Sequence, residues 1–187
     1  YADYTEQRLY TFLSGYTLKR DIGAKYEYSN LGAGLLGHIL ALRAGKDYNA
    51  LIQERICQPL GLTSTAVILS PEMKQHLAVG HNESGRPVPG WNFKALAGAG
   101  GIRSSGNDML KLADACLGLR QSSLSNAIAL TLTPRIGTDS PSTQIGLAWH
   151  ITTRNGTEIP WHNGQTGGYH TYIGLDRAKK RAVVVLA

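Results

Sequence analysis

Over residues 5–14 the apolar side chains Leu9, Phe12 and Leu13 recur at helical spacing, which predicts a short helix with those three on one face. Residues 19–26 are polar and contain Gly23, so they read as a loop. From Leu31 to Ala44 the positions Leu31, Leu35, Ile39 and Leu42 return with helical period, Asn30 supplies an N-cap and Gly45 a stop. Those four aliphatic side chains are expected to face the core. Asp47 caps a further helix running through Cys57, which Pro59 is expected to break. Ser70-Pro71 opens another helical turn, with proline at the first helical position. Ser105-Gly106-Asn107-Asp108 precedes Met109-Leu110-Lys111-Leu112 and resembles a capping box for a helix ending near Gly118.

Beyond Pro141 the period changes from helical to alternating. Residues 145–153 read as a strand, and Asn155-Gly156 is the strongest hairpin signal in the chain. Residues 157–162, 169–176 and 181–187 supply three further strands, and the short connections favour an antiparallel sheet. The expected fold class is α+β: one unit over residues 1–187, a helical cluster to about residue 140 and antiparallel strands from 141 to 187.

Composition adds limits rather than a function. A chain of 187 residues with 42% hydrophobic content is long enough for a globular domain with a core. No apolar run approaches the roughly 20 residues that span a bilayer. The net charge of +6 comes from 19 basic and 13 acidic residues scattered along the chain, with no basic stripe interleaved with aromatics, which argues against a nucleic-acid partner. Cys57 and Cys116 each sit in an apolar helical pattern and read as buried thiols rather than a disulfide. The sequence holds no Gly-x-Ser-x-Gly elbow, no His-Glu-x-x-His, no paired Cys-x-x-Cys and no phosphate-cradling Gly-x-x-x-x-Gly-Lys-Ser/Thr, so neither a metal nor a cofactor is expected.

Two motifs carry candidate chemistry. One is Tyr28-Ser29-Asn30; the other is Trp161-His162-Asn163-Gly164-Gln165-Thr166-Gly167-Gly168. Between them lie Pro59-Leu60-Gly61-Leu62, Ala99-Gly100-Gly101-Ile102-Arg103-Ser104-Ser105 with Asp108-Met109, and Gly146-Leu147-Ala148-Trp149; Val183-Val184-Val185-Leu186-Ala187 closes the series. In this order the segments resemble the middle and C-terminal part of the class C β-lactamase-like, penicillin-binding-protein-like serine hydrolases. That group includes β-lactamases, D-alanyl-D-alanine carboxypeptidases, D-aminopeptidases and carboxylesterases. The resemblance implies a partial β-lactamase/transpeptidase-like fold, acyl transfer without metal or cofactor, a small-molecule or peptide substrate, and a periplasmic or secreted setting.

It also implies roles. Tyr28 would be the general base or proton relay of the nucleophile, and a phenol, which ordinarily titrates near pH 10, needs neighbouring positive charge for that task. Asn30 would hydrogen-bond the substrate amide. Gly164 would let substrate lie against the strand, and the Gln165 N–H would be one oxyanion donor. His162 stands where the family's Lys-Thr-Gly motif has lysine. Imidazole ordinarily titrates near 6.5 and is no permanent cation at neutrality, which weakens recognition of a β-lactam carboxylate and points toward peptidase or esterase chemistry. Without the family context, Tyr28 reads equally as a core tyrosine, Asn30 as a helix cap and His162 as a strand end. Trp91 and Phe93 are candidates for cleft lining or for ordinary packing; His38 reads as a core histidine, and His81, His150 and His170 have no recognisable partners.

No serine in the chain is followed by lysine three positions later, so the family's Ser-x-x-Lys nucleophile is absent. With a first residue that is not methionine, this leads to the expectation of a fragment that is inactive alone. A nucleophile-free binding domain of the same fold is the alternative, and a hydrolase using Ser29 is a third. Strand edges and an apolar face left uncovered would favour self-association.

Overall fold

The computed structural model describes residues 2–187. Helix α1, Glu6–Ser14, starts at Thr5, whose side chain accepts the Arg8 N–H, and buries Leu9 completely. Helix α2, Asn30–Ala44, is capped one residue earlier than the sequence suggests: Ser29 accepts the Gly32 N–H at 3.0 Å, and Gly45 at φ 62° ends the helix. The two helices are joined by the Tyr10 hydroxyl and Nε2 of buried His38, 2.6 Å apart.

The buried face of α2 matches the expected one only in part, with Leu31 and Leu35 half-buried. Gly34, Gly37, His38 and Ala41 face inward, whereas Ile39 and Leu42 are exposed, as are Leu36 and Leu40. Helix and neighbouring chain approach too closely for large side chains. A Cβ on Gly34 would lie 2.6 Å from Leu96 Cδ2, and one on Gly98 would lie 2.7 Å from the Ala33 carbonyl oxygen. This contact accounts for the glycine at 98, in the 3-10 turn Ala97–Ala99.

Asp47 caps α3, Tyr48–Ile52, as expected, but Pro59 does not stop the helix. The chain widens into a π-helical turn, Gln53–Cys57, and continues as α4, Gln58–Leu60, until Gly61 at φ 65°. Proline lacks an N–H and its ring clashes with the carbonyl four residues back, and the wider turn removes that conflict. Ser70 caps α5, Pro71–Gln75, by accepting the Met73 N–H. Ser105 caps α6, Gly106–Cys116, by accepting the Asp108 N–H.

Asp108 does not return to Ser105 as a capping box would have it. Its buried carboxylate accepts the Ser64 N–H at 2.7 Å, the Thr65 hydroxyl at 2.8 Å and the Lys111 ammonium at 3.0 Å. Burial opposes ionisation of Asp108, but these three donors outweigh it and hold the carboxyl below its ordinary range. The network ties α6 to the segment after α4.

Helix α7, Ser125–Thr131, precedes six strands among the described residues: β1, Ile136–Gly137; β2, Thr143–Ile145; β3, His150–Arg154; β4, Thr157–Thr166; β5, Tyr169–Asp176; and β6, Arg181–Leu186. They form one antiparallel sheet in sequence order, so β6 lies at one edge. The single strand expected over 145–153 is split: the Gly146 N–H donates to the Trp149 carbonyl in a turn through Ala148 at φ 67°. Asn155 at φ 50° and Gly156 at φ 73° make the tight β3–β4 hairpin, as their sequence dictates. Against the sheet, α6 and α7 bury Ala113, Cys116, Leu117, Leu132, Ile173 and Leu175 in a shared core. Cys57 and Cys116 are buried free thiols.

Candidate active site

The extended segment before α2 delivers Tyr28, and the middle of β4 delivers His162. The Ser29 cap fixes where that segment meets the helix, and the close seat of α2 on Gly98 fixes the helix. The rings of Tyr28 and His162 lie 6.4 Å apart, tilted by 42°. Tyr28 is 57% exposed, which leaves its hydroxyl open to an incoming group.

Asn30 is the first residue of α2, exposed and without a side-chain hydrogen bond among the described residues. Gly164 and Gln165 follow His162 on β4, opposite Thr171 and His170 of β5. β3 pairs with β4 only as far as Trp161, so from His162 onward β4 has a strand partner on one side alone among the described residues. An extended substrate needs such an open edge. A Cβ on Gly164 would lie 2.6 Å from Thr171 Oγ1, so a larger residue there would displace that hydroxyl. The structure therefore brings Tyr28 and His162 together and puts Gly164 and Gln165 on the same strand. Asn30 shares only the Tyr28 segment.

Four aromatic and imidazole rings missed in the sequence complete this wall. His150 of β3 lies directly across from Trp161 of β4 with the rings stacked, centroids 4.6 Å apart. The other face of the cluster is closed by Tyr172, stacked on Trp161 at 6.0 Å, and by Tyr26, edge-on to His150 at 6.4 Å. Trp161 is pinned by its indole N–H, which donates to the Thr152 hydroxyl at 2.9 Å. Burial pushes the His150 imidazole below the ordinary histidine range, and facing His162 acts in the same direction. Burial likewise raises Tyr26, and neighbouring Tyr28 adds to it. The signal for His150 was present: counting outward from the Asn155-Gly156 turn pairs it with Trp161.

At the far end of β4, Trp91 packs against Gly167, where a Cβ would come within 2.6 Å of the indole, and Phe93 meets Trp91 edge-on at 6.2 Å. Arg103 donates to the Trp91 carbonyl at 2.8 Å. A cavity of about 550 Å³, lined by His38, Leu42, Lys46, Tyr48 and Lys94 among others, is separate from Tyr28 and His162. No group of histidine, cysteine, aspartate and glutamate side chains suited to a metal occurs among the described residues.

The beta-lactamase family model matches residues 1–187. An unguisins hydrolase of Aspergillus campestris is 31% identical over 175 residues, covering 87% of this chain and 33% of that protein. A beta-lactamase of Psychrobacter immobilis is 28% identical over 197 residues, covering 89% of this chain and 49% of that one. The class C beta-lactamase from Rhodobacter sphaeroides superposes with a TM-score of 0.87 at 26% identity, over 97% of this chain and 60% of its own. The beta-lactamase/D-alanine carboxypeptidase from Pseudomonas syringae shares the fold, with a TM-score of 0.87 at 23% identity, over 98% of this chain and 60% of its own. The chain belongs to the beta-lactamase family, with its α+β, transpeptidase-like fold. It spans about a third to a half of the length of the curated relatives it matches.

Proposed function

We propose that this chain forms the tyrosine- and histidine-bearing wall of a β-lactamase-like serine hydrolase that cleaves amide or ester bonds through an acyl-enzyme. The observation that carries this reading is the meeting of Tyr28 and His162 beside an open stretch of β4. In it Tyr28 takes or relays the nucleophile's proton, Asn30 holds the substrate amide, Gly164 admits the substrate backbone and the Gln165 N–H stabilises the oxyanion.

The 187 residues hold no Ser-x-x-Lys, so in this reading the nucleophile and its lysine are supplied from outside them and the 187 residues alone do not turn over substrate. Ser29 is a poor substitute, since its Oγ is engaged as the cap of α2. The relatives' names indicate the substrate range to test: β-lactams, D-alanine peptides and unguisins. His162 in the lysine position favours peptide or ester substrates over β-lactams. A periplasmic or secreted setting belongs to this reading, and no helix among the described residues is long and apolar enough to cross a membrane.

A fluorophosphonate serine probe tests the proposal. The full-length protein is expected to be labelled at a serine outside residues 1–187, and the 187-residue chain to stay unlabelled. Labelling of a serine within the chain overturns the assignment. The missing nucleophile also favours a second reading, a nucleophile-free binding domain. Ligand binding by a full-length protein that the probe never labels would establish it.

A further inference from the structure

His162 carries geometric information about its own chemistry. Its Nδ1 lies 2.6 Å from the Asn163 carbonyl oxygen. A carbonyl only accepts, so Nδ1 carries the proton, and in the neutral ring Nε2 is a lone pair. That Nε2 has no hydrogen-bond partner among the described residues. A lysine in this position offers donors and positive charge; the neutral imidazole offers an acceptor.

His150 lies 5.5 Å from His162, centroid to centroid, held by its stack on Trp161. Tyr28 approaches His162 from the segment before α2, while Tyr26 and Trp161 pack on His150 and Tyr172 packs on Trp161. None of these neighbours is a carboxylate that would hold an imidazolium. On the segment before α2, Arg20 pairs with Glu27 and Lys25 with Asp139 of the β1–β2 connection.

We propose that His162, its Nδ1 proton held by the Asn163 carbonyl, presents an accepting Nε2 to the cleft, and that His150, 5.5 Å away and stacked on Trp161, is a positioning residue beside it. The site then selects substrates offering a hydrogen-bond donor there, such as an amide N–H, a hydroxyl or an ammonium, over substrates offering a carboxylate. This specificity rests on the reading of His162 as a substrate-facing residue; the tautomer and the coupling to His150 do not.

Nitrogen-15 NMR of the histidine-labelled 187-residue chain at mildly alkaline pH reads the tautomer. The expected result is a pyrrole-like Nδ1 and a pyridine-like Nε2 for His162; the opposite tautomer, or two pyrrole-like nitrogens, overturns the proposal. Coupling between two sites is reciprocal, so the His150–His162 interaction can be read on His150. In His162→Gln the His150 titration is expected to move up by about half a pH unit, the size of a weakly screened charge pair at this separation. His162→Phe repeats the measurement should the glutamine variant fold poorly, and no movement in a folded variant contradicts the coupling.

For the specificity, p-nitrophenyl esters ending in a primary amide or in a carboxylate are compared on full-length protein. The amide ester is expected to have the higher kcat/KM by about tenfold, the cost of an unmatched polar contact. Equal rates or a carboxylate preference overturn the selectivity. Absence of turnover of both esters counts against the proposed function, while the NMR results still decide the tautomer and the coupling.

Discussion

His150 and Trp161 face each other across the β3–β4 hairpin with their rings 4.6 Å apart and 20° from parallel. The pair fixes the end of β3 beside Tyr28 and His162. Trp161 is held by Thr152, which in turn shares a 3.0 Å hydroxyl contact with Thr143 of β2. The imidazole of His162, the next residue on β4, is thus carried on a strand whose preceding side chain is locked on both faces. The family motif supplies the residue type; this stack supplies its placement.

Asp108→Ala is expected to destabilise the chain by about 3 kcal/mol, because it leaves the Ser64 N–H unpaired, leaves the Thr65 hydroxyl only its Ser104 partner and removes the carboxylate from Lys111. The folded Asp108 carboxyl titrates below its unfolded value, so its contribution is present above the ordinary carboxylate range and is lost as pH falls through the folded value. Urea unfolding of the native chain and Asp108→Asn at neutral and acid pH checks the sign: the stability gap between them must shrink on acidification.

Gly98→Ala places a methyl 2.7 Å from the Ala33 carbonyl oxygen, a backbone atom that cannot turn aside. Forced separation of α2 from its seat is expected to cost roughly 1–3 kcal/mol. The urea midpoint measures the loss, and an unchanged midpoint would mean that this contact does not hold α2.

Neither thiol is expected to react in the folded chain. Burial raises Cys57, and it pushes Cys116 up to about 11 despite the opposing charge of Arg177. Both therefore stay protonated and shielded through the range where thiolate reagents act. Ellman's reagent should titrate two thiols in denaturant and essentially none in buffer at pH 8; rapid native reaction would contradict the burial.

Self-association is expected at high concentration. Leu36, Ile39, Leu40 and Leu42 expose an apolar face on α2, and β6 brings exposed Val183, Val185 and Leu186 to a sheet edge. Light scattering across a dilution series measures it. A particle of monomer mass at every concentration would rule it out.

The elements most legible in the sequence were those specified by local chemistry. Thr5, Ser70 and Ser105 cap helices where side-chain acceptors precede apolar runs, and Asn155-Gly156 makes its hairpin because both residues tolerate positive φ. Tyr28 and His162 were legible through motif order alone, and their meeting depends on packing far from either. The face of α2 was legible at half-buried Leu31 and Leu35 but misread at Ile39 and Leu42, which are exposed because the fully buried contact is made by Gly34, Gly37, His38 and Ala41. The break between β2 and β3 was hidden because Ala148 adopts a left-handed conformation without glycine or asparagine to signal it.

The most direct measurement of the central claim is kcat/KM for ester hydrolysis by full-length protein carrying Tyr28→Phe, with folding verified by circular dichroism. Loss of the phenolic hydroxyl beside His162 is expected to lower kcat/KM by about 10²–10⁴-fold, the usual contribution of a positioned proton-transfer group. A folded Tyr28→Phe protein as fast as the native protein would contradict the proposed assignment of this wall to acyl transfer.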